Sequence, residues 1–541
     1  MASRTLITLG YILAFWGVLP GGLGALAAWG QRLLGARLHL GWLHGVGIAL
    51  AGLSGILLAV AIFQYAHASG SLPISAFPSP KLIRRGVFGV WRHPIYLFSV
   101  LFFSGLGVAL WPAGFIVISL PVLVLGTILY ARIEEAGLEK RFGPAYEWHR
   151  RQTSIVVPRL VRVLRPLSVA LCRAFFRFEV LGRENGKVDP PFFVIAAHRN
   201  YLDPVFVSLA LNVPVHFVTT SEKFRTPLSR LFFTKLLALP KKRYKPVLGE
   251  ALGLRRLLIE GCAVGIFPEA ERSWTGAMLA FKPSVVKLFL RYPAIPIVPI
   301  RLEGAYGSWP RWALRPRRGK VTASVGKPAF VADGETVADL EMRLAALIEP
   351  RRAPAPPSRP MAAKGIEALI YRCPECLSFD AIRSGPGGAF SCARCPAEFE
   401  MLPDLSVRKV GRNDAIPLEL LSRRIFVGPA ESAPAQTSSV GFSAEGTRLA
   451  LEKRGRLRTA GIGRLDLSAA GLTFTSRHAL VRFDLGEVQA VLIEGARLLQ
   501  VYGGRPAVLS QFAFDGQSAL KWQHLIAEAV RSQRGSYPVT A

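Results

Sequence analysis

Acidic side chains are scarce. Against 67 Lys+Arg the 541-residue chain sets only 36 Asp+Glu, a formal net charge of +31. That imbalance points to anionic partners, either nucleic acid or an anionic lipid surface. The basic residues are spread beside apolar stretches and form no single stripe, which favours membrane lipids and makes nucleic acid the lesser expectation. Cysteine is scarce too. Six in a chain of this length do not frame a disulfide scaffold, and four of them form two close pairs, so a reducing compartment is expected. No internal repeat with a period of about 20–50 residues is present. What the chain does have is apolar surface: 51% of its residues, with a positive mean hydropathy. The length predicts three or four domains, and the composition predicts membrane segments among them.

The first 131 residues carry those segments. Runs at about 5–28 and 41–65 are each long enough to cross a bilayer core of roughly 30 Å. A longer run at about 95–131 contains Trp111-Pro112 and reads as two spans joined by a tight turn, with Pro112 at a first helical position. The repeated spans argue for a retained anchor and against a cleaved signal. With four spans, Arg4, the loop holding Lys81, Arg84, Arg85 and Arg92, and the stretch after Arg132 share one side, which the positive-inside rule makes cytoplasmic. Arg32 and Arg37 sit on the other side. The expectation is a multi-pass protein of the cell inner membrane, with everything after the bundle in the cytoplasm.

From about 166 to 350, strand-like runs ("FFVIAA", "VPVHFVTT", "AVGIFPE", "AIPIVPI") alternate with helical ones, the pattern of an α/β domain. A basic Pro/Ala-rich linker follows at 351–364, then a small cysteine-bearing module at 365–412. Short alternating runs at about 440–535 read as strands and end in "SALKWQHLIAEAV". Its Trp522, Leu525, Ile526, Ala529 and Val530 fall close to one helical face. The predicted order is a helical transmembrane domain (1–157), an α/β domain (158–350), the linker, the cysteine module and a mainly-β domain with one helix.

The stretch "FFVIAAHRNYLDPVFVSLAL" (192–211) ends an apolar run in His198 and resumes after Asp203-Pro204. On a helix, five residues would separate the two side chains by about 140°, so they cooperate only across a turn. Asp203 reads as a helix N-cap with Pro at the next position. His198, at the C-terminal end of a strand, would lie where α/β sheets bind ligands, and a nearby carboxylate would fix its tautomer for general-base work.

"HRNYLD", "SEKFRTPLSRLFFTKLLALPKKR" (221–243), "GIFPEAERS" (265–273) and "IPIVPI" (295–300) resemble, in order, the four blocks of the glycerolipid acyltransferase family, which includes the 1-acyl-sn-glycerol-3-phosphate acyltransferases. The resemblance implies that His198 deprotonates an acceptor hydroxyl that attacks the thioester of acyl-CoA or acyl-carrier protein, with Asp203 orienting it. It implies that Glu269 and Arg272 hold the acceptor head, the guanidinium offering a planar fork for phosphate, with Lys241, Lys242 and Arg243 adding positive field. Two features depart from the family pattern. Ala270-Glu271 replaces the usual Gly-Thr, placing an acid beside Arg272, while Asn200 and Ala197 replace Ser/Thr and Asn.

"GVFGVWRHPIYL" (86–97) and "RIEEAGLEKRFGPAYEWHRR" (132–151) resemble the isoprenylcysteine carboxyl and phospholipid methyltransferases. On that resemblance His93, Tyr96, Glu134 and Glu135 line a site for S-adenosylmethionine. Consecutive glutamates on a helix point about 100° apart, so one of the two would face the cofactor fully. The bland alternative is an anchor with interfacial charges.

Cys373, Cys376, Cys392 and Cys395 form a CxxC pair on each side of a Gly/Pro-rich segment, the spacing of a structural zinc ribbon. Cys172 and Cys262 read as inert core residues. The β-rich tail loosely resembles GRAM and pleckstrin-homology folds. Three functions remain open: a membrane-bound acyltransferase acting on a lysophosphatidate-like acceptor, with or without lipid methylation; an enzyme that mainly methylates; and a non-catalytic lipid-binding scaffold.

Overall fold

The computed structural model describes residues 6–34 (except 7, 8 and 11), 40–73, 79, 81–83, 86–143, 146–147, 149–150, 153, 160–211, 213–224, 226–235, 237–241, 248–350, 363–426, 441–453, 456–505 and 507–534. The chain forms two compact units, Met1–Leu164 and Arg165–Ala541. Most of the linker expected at 351–364 lies outside the described residues.

The first unit is helical: Leu19–Leu34, His44–Ser69, Pro94–Leu110 and a continuous Pro112–Phe142. Pro94 and Pro112 open their helices, where a missing N–H is harmless. Helices His44–Ser69 and Pro94–Leu110 meet backbone to backbone. A Cβ on Gly47 would come within 2.4 Å of Ala109 N, and one on Gly105 within 2.4 Å of Ala51 N. Small residues permit this approach, as in membrane helix pairs. Among the described residues, Gly41–Ser69 and Pro112–Phe142 are long and apolar enough to cross a membrane, and Pro94–Leu110 is apolar but shorter. The run expected at 5–28 is helical at its described residues from Leu6 onward, passes through a π-helical stretch at Ala14–Val18, and continues to Leu34.

The second unit opens with a seven-stranded sheet: β1 (Glu179–Leu181), β2 (Phe192–Ile195), β3 (Val215–Thr220), β4 (Ala238–Lys241), β5 (Ala263–Ile266), β6 (Ile297–Glu303) and β7 (Thr322–Val325). The order is β1-β7-β6-β2-β5-β3-β4, parallel except between β6 and β7. Every residue of β2 is buried. Phe192 and Val194 enter one core with Phe206 and Val298, while Phe193 and Ile195 enter another with Phe289 and Leu340. Such two-faced burial explains why β2 reads as a continuous apolar run. Cys172 and Cys262 are buried in this domain.

The cysteine module is an antiparallel sheet of β8 (Ile382–Ser384), β9 (Ala389–Cys392), β10 (Glu398–Met401), β11 (Ser406–Lys409) and β12 (Ala415–Pro417). Helix Leu418–Phe426 follows it. The C-terminal sheet comprises β13 (Phe442–Lys453), β14 (Arg456–Ser468), β15 (Gly471–Ser476), β16 (Leu480–Phe483), β17 (Val488–Glu494), β18 (Leu498–Gly503) and β19 (Val508–Ala513). Helix Ala519–Arg534 buries Trp522, Ile526 and Val530 against it, with Leu525 and Ala529 partly buried beside them. These modules share one core, which also holds Cys373, Cys392, and Tyr306 and Trp312 of the α/β domain. Buried Lys521 pairs with Asp380 across the two small modules.

Candidate active site

Register brings the His198 and Glu269 turns together. β2 and β5 are parallel neighbours with Ile195 opposite Ile266, so His198 and Glu269, each three residues further on, leave the sheet side by side. The Glu269 carboxylate accepts the His198 backbone N–H at 3.0 Å and that of Leu279 at 3.3 Å. The Ser273 N–H in turn donates to the His198 carbonyl at 2.9 Å. Both peptide groups flanking His198 are thus held by the second turn.

The His198 Nδ1 lies 2.9 Å from Asp203 Oδ2, which also accepts the N–H groups of Arg199 at 2.6 Å and Asn200 at 2.7 Å. Asp203 therefore does not cap its helix as the sequence suggests. It is the first residue of helix Asp203–Ala210, whose N-cap is Leu202, and its carboxylate faces back along the turn. The imidazole stacks on Phe267 with ring centroids 4.2 Å apart. Burial lowers the His198 pKa from its ordinary value, against the raising effect of Asp203; the charges of Arg272 and Arg311 lower it further. Burial pushes the Glu269 carboxyl up to about 8, opposed by the His198 N–H.

Asn200, which replaces Ser or Thr of the family pattern, is fully buried. It donates to Ala305 O and Ser308 Oγ and accepts the Leu202 N–H, fixing the far side of the turn. The Arg272 guanidinium lies 3.6 Å from the Tyr201 ring centroid, a cation–π contact. Its Nη1 is buried without a hydrogen-bond partner among the described residues. Lys241 closes β4 at the sheet edge, two strands away from β5. Lys242 and Arg243 lie outside the described residues.

Sequence reasoning missed Tyr201, Phe267 and Arg311. Nothing in "GSWPRWALRP" singles out Arg311, although an acid at position 271 implies a cation near it. Arg311 supplies that cation, with Nη1 2.9 Å from Glu271 Oε1.

In the first unit, the four residues expected at a cofactor site do come together. Glu135 Oε1 lies 2.7 Å from Arg92 Nη1 and 3.2 Å from His93 Nε2, while Glu134 Oε2 lies 3.6 Å from His93 Nδ1. His93 stacks on Tyr96 with centroids 5.5 Å apart. A cavity of about 970 Å³ is lined by His93, Tyr96, Tyr130, Glu134 and Tyr146 among others. Glu134 Oε2 and the Tyr146 hydroxyl are buried without hydrogen-bond partners among the described residues. Glu134 lines the cavity, while Glu135 braces Arg92 and His93. A carboxylate and aromatic faces around such a volume suit a cationic cofactor.

In the cysteine module the four Sγ atoms lie within 4.8 Å of one another, with Cys373–Cys395 at 3.8 Å and Cys376–Cys392 at 3.7 Å. Thiolates about 2.3 Å from a tetrahedral zinc ion stand roughly 3.8 Å apart, so the four fit a zinc ion.

Residues 177–303 match the family model for acyltransferases and residues 42–145 that for phospholipid methyltransferases. A 1-acyl-sn-glycerol-3-phosphate acyltransferase of Bacillus subtilis is 27% identical over 172 residues, 32% of this chain and 82% of that protein. A chloroplastic one of Arabidopsis thaliana is 28% identical over 134 residues, 24% of this chain and 37% of the plant protein. The solved 1-acyl-sn-glycerophosphate acyltransferase of Thermotoga maritima is 19% identical, with 35% of this chain and 77% of that one covered and a TM-score of 0.31. The chain thus carries an acyltransferase domain and, before it, a phospholipid methyltransferase domain, each where the sequence motifs resemble that family.

Proposed function

We propose that the chain is a membrane-bound O-acyltransferase that moves a fatty acyl group from acyl-CoA or acyl-carrier protein to the hydroxyl of a lysophosphatidate-like acceptor. The supporting observation is the contact of His198 Nδ1 with Asp203 at 2.9 Å, within a turn held on both sides by Glu269 and Ser273. With Nδ1–H donated to Asp203, Nε2 takes the proton of the acceptor hydroxyl. The oxygen adds to the thioester carbonyl, the C–S bond breaks, and the departing thiolate receives the proton from the imidazolium. Arg272, with a buried unpaired Nη1, binds the phosphate of the acceptor. Glu269, 1% exposed and accepting two backbone N–H groups, supports the turn that presents His198 to the acceptor. The test is transfer of the labelled acyl group from acyl-CoA to lysophosphatidate, with release of CoA, by detergent-purified protein. Transfer that persists in His198→Ala would refute the assignment.

A second activity is favoured by the cavity of the first unit, with Glu134 Oε2 and the Tyr146 hydroxyl buried there without hydrogen-bond partners among the described residues. When bound, S-adenosylmethionine would supply an electrophilic methyl group for a lipid nucleophile. Glu134 and the aromatic rings of the cavity would hold its positive charge, and Glu135 with Arg92 orients His93. Calorimetry with S-adenosylmethionine tests this, and undiminished binding by Glu134→Ala would refute the assigned residue. The apolar helices fit a bundle of four spans in the cell inner membrane, with the acyltransferase domain cytoplasmic. Accessibility of single cysteines in intact spheroplasts reads that orientation directly.

A further inference from the structure

Glu271 poses an electrostatic problem that the C-terminal sheet resolves. An acid next to Arg272 would repel an anionic headgroup at the point where a cation is needed. Arg311, 2% exposed, meets that acid with Nη1 at 2.9 Å and donates from the same nitrogen to the Arg272 carbonyl at 2.9 Å. Its other nitrogens reach the C-terminal sheet, Nε donating to Gly495 O at 2.9 Å and Nη2 to Ile493 O at 3.0 Å. The guanidinium lies over Trp274, 4.4 Å from the ring centroid. The same turn of the sheet, after β17, stands beside the ring that carries Arg272: a Cβ on Gly495 would come within 4.0 Å of the Tyr201 hydroxyl.

We infer that Arg311, held by the β17–β18 turn, is a positioning residue of the acyltransferase site: it neutralises Glu271 and fixes Arg272, so that the site accepts anionic lysolipids. The inference rests on the acyltransferase reading above. The C-terminal sheet is then a working wall of the site, because two of its carbonyls hold the guanidinium between Glu271 and the Arg272 backbone. Without Arg311, Glu271 loses the buried guanidinium that faces it at 2.9 Å, and its negative charge weighs more on the headgroup. The defect should therefore scale with the charge of the acceptor, which a loss of packing alone would not do.

The test uses the full-length His198→Ala protein in detergent, so that binding is read without turnover. The probes are labelled lysophosphatidate and the uncharged monoacylglycerol of the same chain length. The expected result is that Arg311→Met lowers the affinity ratio of lysophosphatidate to monoacylglycerol at least tenfold, and that adding Glu271→Gln restores most of it. An unchanged ratio, an equal loss for both lipids, or no recovery in the double variant overturns the inference alone. Failure of the His198→Ala parent to bind lysophosphatidate overturns the acyltransferase reading, and this inference with it. Should Arg311→Met not fold, Gly495→Val takes its place, because Gly495 has φ +66° and a β-branched residue there distorts the turn. It should shift the ratio the same way, and a ratio unchanged in that variant also overturns the inference.

Discussion

The Glu269 carboxylate receives the backbone N–H of His198 at 3.0 Å, deep in the fold, and so ties the turn after β5 to the turn after β2. Its carboxyl titrates near 8 in the folded protein because burial disfavours the charge, against about 4.3 in an unfolded chain. The folded state therefore holds a proton that the unfolded state has lost between those values. This contribution to stability is full below about pH 4. It fades as pH rises and is gone above 8. Thermal unfolding followed across pH 5–9 should show wild type losing stability on the alkaline side more steeply than Glu269→Gln. Parallel curves would show that Glu269 does not carry the effect. Glu269→Ala, which strands two backbone donors, should destabilise the domain by about 1–3 kcal/mol.

His198 gives a pH dependence of activity. Its pKa lies below the ordinary 6.5 because burial outweighs the help of Asp203. A general base must be neutral, so the acid limb of kcat/KM should fall below pH 6.5, with activity flat from there to neutrality. Asp203→Asn removes the group that raises the pKa, so it should move the limb to still lower pH while reducing the rate. Removing the base in His198→Ala should slow transfer by on the order of 10²–10⁴. A limb above pH 6.5 would contradict the environment described for this imidazole.

Ala270 occupies a left-handed backbone conformation, φ +56°, at a position where the family pattern has glycine. A Cβ in that region costs about 1–2 kcal/mol, and the flexibility of glycine in the unfolded chain offsets part of it. Ala270→Gly should therefore stabilise the α/β domain by about 1 kcal/mol, read as a higher denaturation midpoint. Unchanged stability would mean that the turn relaxes around the methyl group.

What was legible in the sequence followed from local rules. The buried β2 run, the Gly/Pro-flanked cysteine pairs and the apolar face of helix Ala519–Arg534 each need only a few neighbouring residues to be recognised. The His198–Asp203 contact was legible because their separation demands a turn. The direction of the Asp203 carboxylate was not, because capping and back-bonding use the same residue types at the same spacing, and only the tertiary position of the imidazole decides between them. Arg311 was illegible for a stronger reason. Its partners lie at 271–272 and at 493–495, and three of the four groups it holds there are backbone carbonyls, which no side-chain motif records.

Zinc should hold more than its own module. Cys373 and Cys392 belong to the core that also contains Trp522 and Trp312, and Asp380, seven residues beyond Cys373, pairs with buried Lys521. Once the metal leaves, the four sulfurs take up protons and nothing ties the two cysteine pairs together, so the loss spreads into the shared core. Purified protein should contain one zinc ion per chain by elemental analysis. Chelation should shift tryptophan emission to longer wavelength as Trp522 gains water, and restored zinc should reverse it. Cys376→Ser, which removes the most exposed of the four ligands, should lower zinc occupancy and bring the shift at a milder chelator concentration. Full zinc in that variant, or chelation that leaves the emission unchanged, would mean that the module stands on its hydrophobic core alone.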